Sequence, residues 1–186
     1  MDRHKVFISY HDGRTQPEGG DWEWRVKFEK LFTRAEVIQS GAVQDGDIDP
    51  NEDVEVVRQK IRDKYLFDSS VTVVLVGERT WQRKHVDWEI SASIRHTTHS
   101  PRSGLLGILL PSHPSYRDPG GYDRRTIPPR LYDNIEAGFA KMYGWTEDPQ
   151  TLQQLVHEAY LRKGTVLPDN SRQPYAKNRT GERWAD

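Results

Sequence analysis

The chain has 186 residues, of which 30% are charged and 34% hydrophobic, with a formal net charge of −1 and no cysteine. That length suits one α/β domain with elaborations. The balanced charge gives no electrostatic case for binding nucleic acid or an anionic membrane surface, and the missing cysteines exclude disulfides, thiolate zinc sites and a cysteine nucleophile. No apolar run approaches the roughly 20 residues that span a bilayer. The start, MDRHKVFISY, runs directly into a strand rather than a signal peptide, so a cytoplasmic protein is expected.

Lys5–Tyr10 alternates and is β-branched or aromatic, which predicts a first strand. His11–Gly20 is a loop, marked by Gly13, Pro17, Gly19 and Gly20. Asp21 is expected to cap a helix carrying Trp24, Phe28, Leu31 and Phe32 at helical spacing. Ala35–Val43 is ambiguous and admits a short strand. Asp45–Pro50 is an acidic turn leading into a helix, with Asp49 as cap and Pro50 in the first turn. Val54, Val57, Ile61 and Leu66 give that helix its apolar side.

Val71–Val76 is a near-continuous β-branched run closed by Gly77, which suits a strand covered on both faces. Thr80 is expected to cap the following helix, on which Val86, Ile90 and Ile94 form the buried stripe. Leu105–Leu110 predicts a further strand. Pro111–Arg130 holds five prolines and two glycines and reads as a long irregular insertion. Leu131–Tyr132 is expected as an edge strand. Asp148 or Thr151 caps a last helix carrying Leu152, Leu155, Val156, Ala159 and Tyr160. Residues 165–186 are polar with little to bury and read as a tail, leaving residues 1–164 as a single domain. Strands alternating with helices argue a parallel, doubly wound α/β sheet of four to five strands flanked by helices.

At about 100° per residue, Glu89 falls on the flank of its helix stripe, beside His85, Ala92 and His96. A carboxylate there meets the strand ends, where open α/β sheets bind ligands. The plain alternative is a solvated glutamate pairing with Arg83, Lys84 or Arg95. Ser9, Tyr10, His11 and Asp12 sit at the carboxyl end of the first strand, where backbone N–H groups and the Ser9 hydroxyl can hold phosphate or ribose. The alternative there is an ordinary polar turn. Asp45, Asp47 and Asp49 fail as a calcium loop, because Pro50 stands where glycine is needed and Val56 where glutamate is needed. No metal site is expected. There is no GxGxxG, Walker loop or GxSxG elbow, and Leu161 breaks an HExxH reading of His157-Glu158. A phospho-receiver is disfavoured because VTVVLV ends in Gly77-Glu78 rather than aspartate.

The segment VTVVLVGERTWQRKHVDWEI resembles the TIR-like domains of bacterial Thoeris anti-phage systems. The start KVFISYHD resembles the first strand and loop of the same family, and the likeness covers most of residues 4–110. It implies a TIR-like, flavodoxin-like fold. It also implies an enzyme that takes NAD as substrate, with no resident cofactor, and cleaves the bond between nicotinamide and ribose. The product would be an ADP-ribose-derived signal, cyclic or conjugated, that diffuses to a separate effector. Self-association is a further expected contact.

By the resemblance, Glu89 is the catalytic residue, and Phe7 and Ser9 match the region lining the nucleotide pocket. Tyr10 and His11 follow in the same loop. The acidic turn reads first as a solvated helix-capping loop, and Asp45 is the aspartate of that turn chosen as a pocket candidate, independently of the resemblance. The family often carries tryptophan four residues before its glutamate, where this chain has His85. His85 is expected to stack on a base or nicotinamide or to donate to a ribose oxygen, the alternative being a partly exposed helix histidine; Trp81 is a further substrate-binding candidate, the alternative being a packing residue. TIR domains also serve as adaptors, so a non-catalytic protein–protein interaction module is the competing expectation.

Overall fold

A computed structural model describes residues 4–14, 19–31, 52–66, 68–97 and 101–185. The ambiguous Ala35–Val43 stretch and the acidic turn Asp45–Pro50 lie outside the described residues. Among the described residues the sheet has four parallel strands in the order β1 (Val6–Ser9), β2 (Val71–Val76), β3 (Gly104–Leu109) and β4 (Met142–Gly144). Register sets Ser9 opposite Val74, Val71 opposite Gly104, and Gly107 opposite Met142. Parallel neighbours need a crossover, and helices supply it: α1 (Trp22–Leu31) and α2 (Val54–Ile61) between β1 and β2, α3 (Lys84–Ser93) between β2 and β3, and α4 (Pro129–Glu136) between β3 and β4, while α5 (Pro149–Arg162) follows β4.

Alternation along each strand divides the core into two layers. Val6, Ile8, Val71, Val73, Leu75, Leu106 and Ile108 meet Phe28 of α1 and Leu152, Val156 and Ala159 of α5. On the opposite face, Val74, Val76 and Leu105 meet Val86 and Ile90 of α3 and Leu131 of α4. Phe7 joins Val57 and Ile61 of α2 with Ala92 of α3. Helices thus cover both faces, which is why β1, β2 and β3 are buried at every position. The α/β, TIR-like architecture expected from sequence is the one observed.

Glycine sets the approach of one layer to the next. A side chain at Gly104 would stand 2.3 Å from the Ala159 carbonyl oxygen, so α5 lies directly on β3 there.

Several local expectations change. Leu131–Tyr132 is not an edge strand but part of the first turn of α4, which opens on Pro129 with Pro128 as its cap residue. Proline at the first helical position lacks only an N–H that the helix would leave unused. The irregular stretch 111–130 also contains a short 3₁₀ turn, Arg124–Thr126. The edge strand is Met142–Gly144 instead. The cap of α2 is Asp53, whose carboxylate accepts from Glu55 N at 2.8 Å. Of the two caps expected for the last helix, Asp148 or Thr151, Asp148 fills the role in α5.

Residues 165–185 carry no helix or strand, yet they are seated on α3 and α4. Tyr175 and Trp184 are buried, contrary to the expectation of a segment with little to bury. Asn178 Oδ1 accepts from Lys84 N at 2.9 Å and so caps α3. Thr80, the expected cap, opens a 3₁₀ turn before α3 and has other partners. Trp88 Nε1 donates to Tyr175 O at 2.8 Å, and Trp184 Nε1 donates to Ile127 O at 2.9 Å. Beneath this strap lies a buried ion pair, Arg130 Nε to Asp87 Oδ1 at 2.9 Å. Tyr175 N donates to the same carboxylate, while Arg130 also donates to Asn170 Oδ1 and Arg172 O. A buried pair is tolerated only when its remaining donors and lone pairs are met in this way.

Candidate functional site

β1 and α3 together bring Ser9 to Glu89. Phe7 and Ser9 share the face of β1 that looks toward α2 and α3, because side chains alternate along a strand. Val86 and Ile90 turn α3 toward the sheet, which aims the flanking Glu89 at the end of β1. Ser9 Oγ donates to Glu89 Oε2 at 2.5 Å, across 80 residues of chain. Both side chains are wholly buried. Glu89 is therefore not a solvated helix glutamate, and it is more enclosed than the partial shielding expected from sequence.

Phe7 is also wholly buried, packed among Val57, Ile61, Leu66 and Ala92. Tyr10 alternates to the opposite face and packs with Val6 and Ile8. Its phenol is pushed up to about 12, chiefly by burial and then by Asp12, with a smaller push from Glu89. His85 reaches the same loop: its Nε2 lies 3.3 Å from Tyr10 O, and because a carbonyl only accepts, that nitrogen is the donor. His11 is buried, and its carbonyl accepts from Asp21 N at 2.7 Å. The structure thus gathers Ser9, Glu89, His85 and the Tyr10–His11 backbone at the carboxyl end of β1. Asp45 lies outside the described residues. Trp81 is buried in the turn after β2, where its carbonyl accepts from Tyr175 Oη at 3.2 Å.

The outer part of the β1 loop is organised by charge. Arg14 grips Asp12 through two hydrogen bonds, at 2.6 and 2.8 Å, and lies 3.9 Å over the Trp22 ring. Arg25 approaches the same ring at 4.7 Å. The Arg14 hydrogen bond holds the Asp12 carboxyl below its ordinary value.

A second polar cluster was not singled out by sequence. Asp21 stands just before α1, and its carboxylate is buried at the carboxyl ends of β2 and β3. It accepts from Ser112 Oγ at 2.9 Å and Thr80 Oγ1 at 3.1 Å, and Thr80 Oγ1 in turn accepts from Gly77 N at 2.8 Å. Burial raises this carboxyl from 3.8 to about 6, against the lowering effect of the two hydroxyls. A side chain on Gly77 would meet the Asp21 carboxylate at 2.1 Å, so glycine is required where β2 ends. Asp21 reads locally as a helix cap; its hydroxyl partners lie 59 and 91 residues away and leave no trace in local sequence.

Two adjoining cavities flank the turn after β2. One, of about 690 Å³, lies between that turn and the strap; the other, of about 450 Å³, runs along the strap. Trp81 lines both and Glu89 lines neither. No group of three or more potential metal ligands occurs among the described residues. No helix among them is long and apolar enough to cross a membrane.

Chemically, the β1–α3 site offers one carboxylate whose orientation is fixed by a serine hydroxyl and a buried helix. It sits where parallel sheets open onto ligands. Comparison with curated proteins gives no match. A family model described as "Thoeris protein ThsB, TIR-like domain" matches residues 7–115, from β1 through β3 and into the loop beyond. The match takes in more than half of the chain and contains Ser9, His85 and Glu89, so the chain belongs to the Thoeris ThsB TIR-like domain family.

Proposed function

We propose that the protein is a NAD-processing enzyme of bacterial anti-phage immunity, in which Glu89 carries the chemistry. The bond between C1′ of the ribose and the pyridinium nitrogen breaks, and its electron pair leaves with nicotinamide as a neutral ring. The ribose is left as an oxocarbenium-like cation, which an oriented carboxylate stabilises as carboxylates do in glycoside cleavage. No general acid is needed for a neutral leaving group, so one acidic residue suffices. Water as acceptor gives ADP-ribose and a proton. An acceptor within the substrate gives a cyclic product, the diffusible signal that reaches the effector. In this reading His85 forms the pocket wall, which its contact with the Tyr10 carbonyl supports.

The observation that supports this most is the Ser9–Glu89 contact at the carboxyl end of β1. Glu89 has no exposed surface, so a ribose reaches it only after the covering shell parts. Low turnover in the resting protein is therefore expected, with activity appearing in lysate from phage-infected cells. Glu89→Gln keeps an acceptor for Ser9 and removes the charge. Nicotinamide release, followed by mass spectrometry, is expected to fall at least about 100-fold, on the scale of losing one charge-stabilising group. Unchanged release in infected-cell lysate removes Glu89 from the reaction.

The full burial of Glu89 also favours a second reading, a non-catalytic interaction module whose carboxylate is structural. Under that reading Glu89→Gln leaves protection against phage intact wherever the variant remains folded.

A further inference from the structure

The strap holds the helix bearing Glu89 from outside. Lys84, Asp87, Trp88 and Ser91 of α3 bond to it, and at about 100° per residue they fall within an arc of roughly 100°. Glu89 falls roughly 150° from the middle of that arc. Val86 and Ile90 face the sheet, while α4 and α2 pack at the sides of α3. Glu89 therefore points inward to Ser9 of β1, and the strap bears on the opposite side. Loosening the strap frees α3 to move outward, the direction that parts Glu89 from β1.

The strap has a base and an arm. The base is fastened to α4: Asn134 exchanges two hydrogen bonds with the Asp169 backbone, at 2.7 and 3.0 Å, and Arg172 pairs with Asp133 at 2.6 Å. The arm, residues 175–178, grips α3. Asn178 Oδ1 accepts from Lys84 N, Tyr175 N donates to Asp87, and Tyr175 O accepts from Trp88 Nε1. Arg83, the residue before α3, adds no side-chain cap, so the cap comes and goes with the arm. Each of these bonds is exchanged for one to water when the arm lifts, so opening costs little beside unfolding of the sheet. Asp87 is not left as a lone charge, because Arg130 stays on it at 2.9 Å. Lifting also withdraws the buried Tyr175 ring, which keeps the closed form dominant.

We infer that residues 175–178 are a latch on α3: closed, the arm keeps Glu89 buried against Ser9; lifted, it lets α3 move out and gives a ribose access to the carboxylate. The access step rests on the catalytic reading of Glu89; the latch itself does not. It lies beyond residues 7–115, which the family model matches.

Native-state hydrogen exchange on the full chain tests the latch without reference to activity. The amides of Tyr175 and Lys84 are expected to exchange through one shared opening, at lower denaturant than those of Val73 and Leu75 in β2. Exchange of all four only on global unfolding overturns the latch. Asn178→Ala removes the cap from the closed form alone, so Tyr175 exchange is expected to quicken about fivefold, the scale of one lost cap. Asn178→Asp, which keeps the acceptor, is expected to restore parental exchange. Unchanged Tyr175 exchange in Asn178→Ala overturns the latch. Nicotinamide release from NAD by the resting protein is expected to rise by a similar factor in Asn178→Ala, and to vanish when Glu89→Gln is added. No rise, where the parent in infected-cell lysate does turn over NAD, overturns control of Glu89 by the arm. No Glu89-dependent release by the parent in that lysate overturns the catalytic reading instead, and the exchange results still decide the latch.

Discussion

Asp21 shows how one buried acid couples three parts of the sheet edge. Its carboxyl joins the start of α1 to Thr80 after β2 and Ser112 after β3. Burial lifts it to about 6 in the folded protein, above its ordinary 3.8. A raised acid binds its proton more tightly folded than unfolded. Its stabilising contribution is therefore complete below about pH 4 and is lost as pH rises through about 6. Asp21→Asn removes that titration while keeping one acceptor and two donors for the hydroxyls. Thermal unfolding from pH 4 to 7 is expected to show the variant gaining on the parent by roughly 3 kcal/mol across the window, several degrees in Tm. A constant difference across the window means the carboxyl is ionised throughout. The Ser9–Glu89 contact is a different case, since no acid–base exchange is needed for it to orient the carboxylate.

At the scale of elements, close packing rather than propensity decides what is tolerated. At Gly104 the α5 backbone comes so near that a methyl group has no room, because the obstacle is a main-chain carbonyl. Gly104→Ala is expected to cost about 1–3 kcal/mol by pushing α5 off β3, read as a lower denaturant midpoint at unchanged slope. A neutral outcome would show that α5 shifts freely. β2 and β3 were legible in the sequence because burial on both faces writes long apolar runs, β1 from its β-branched and aromatic residues, and the stripe of α3 from apolar residues at helical spacing. β4 was not, since its three residues are half-buried or exposed and show no alternation. α4 was hidden by Pro128 and Pro129, which read as loop but here form a helix start. The helix face of Glu89 was legible from spacing. Its partner Ser9 was assigned to ligand binding, and that the two side chains would close on each other was not legible, since the contact spans 80 residues.

For the molecule as a whole, the strap is the part least expected from composition. Its polar residues fulfil obligations of other elements: Asn178 caps α3, Asn170 bonds to Ser91, Arg172 grips Asp133, and Tyr175 N serves the Asp87 carboxylate. Its two buried aromatics, Tyr175 and Trp184, are isolated in sequence and mark no amphipathic period. A chain ending at Gly164 leaves Asp87 and Arg130 without several of their partners, each such loss costing about 1–3 kcal/mol. The truncated protein is expected to melt more than about 10 °C lower, or to be recovered only as aggregate. An unchanged melting curve would show that the strap adds nothing to the fold.

The same strap imposes an order on biosynthesis. Trp88 meets its acceptor at Tyr175 only after 87 further residues have been translated. The sheet, from β1 to β4, emerges from the ribosome first, while the helix bearing Glu89 waits uncapped and the Asp87–Arg130 pair waits half-dressed. Nascent chains paused before Asn170 are then the species most open to proteases and chaperones. The helix bearing Glu89 receives its cap only once Asn178 has been made, so a shorter nascent chain lacks it.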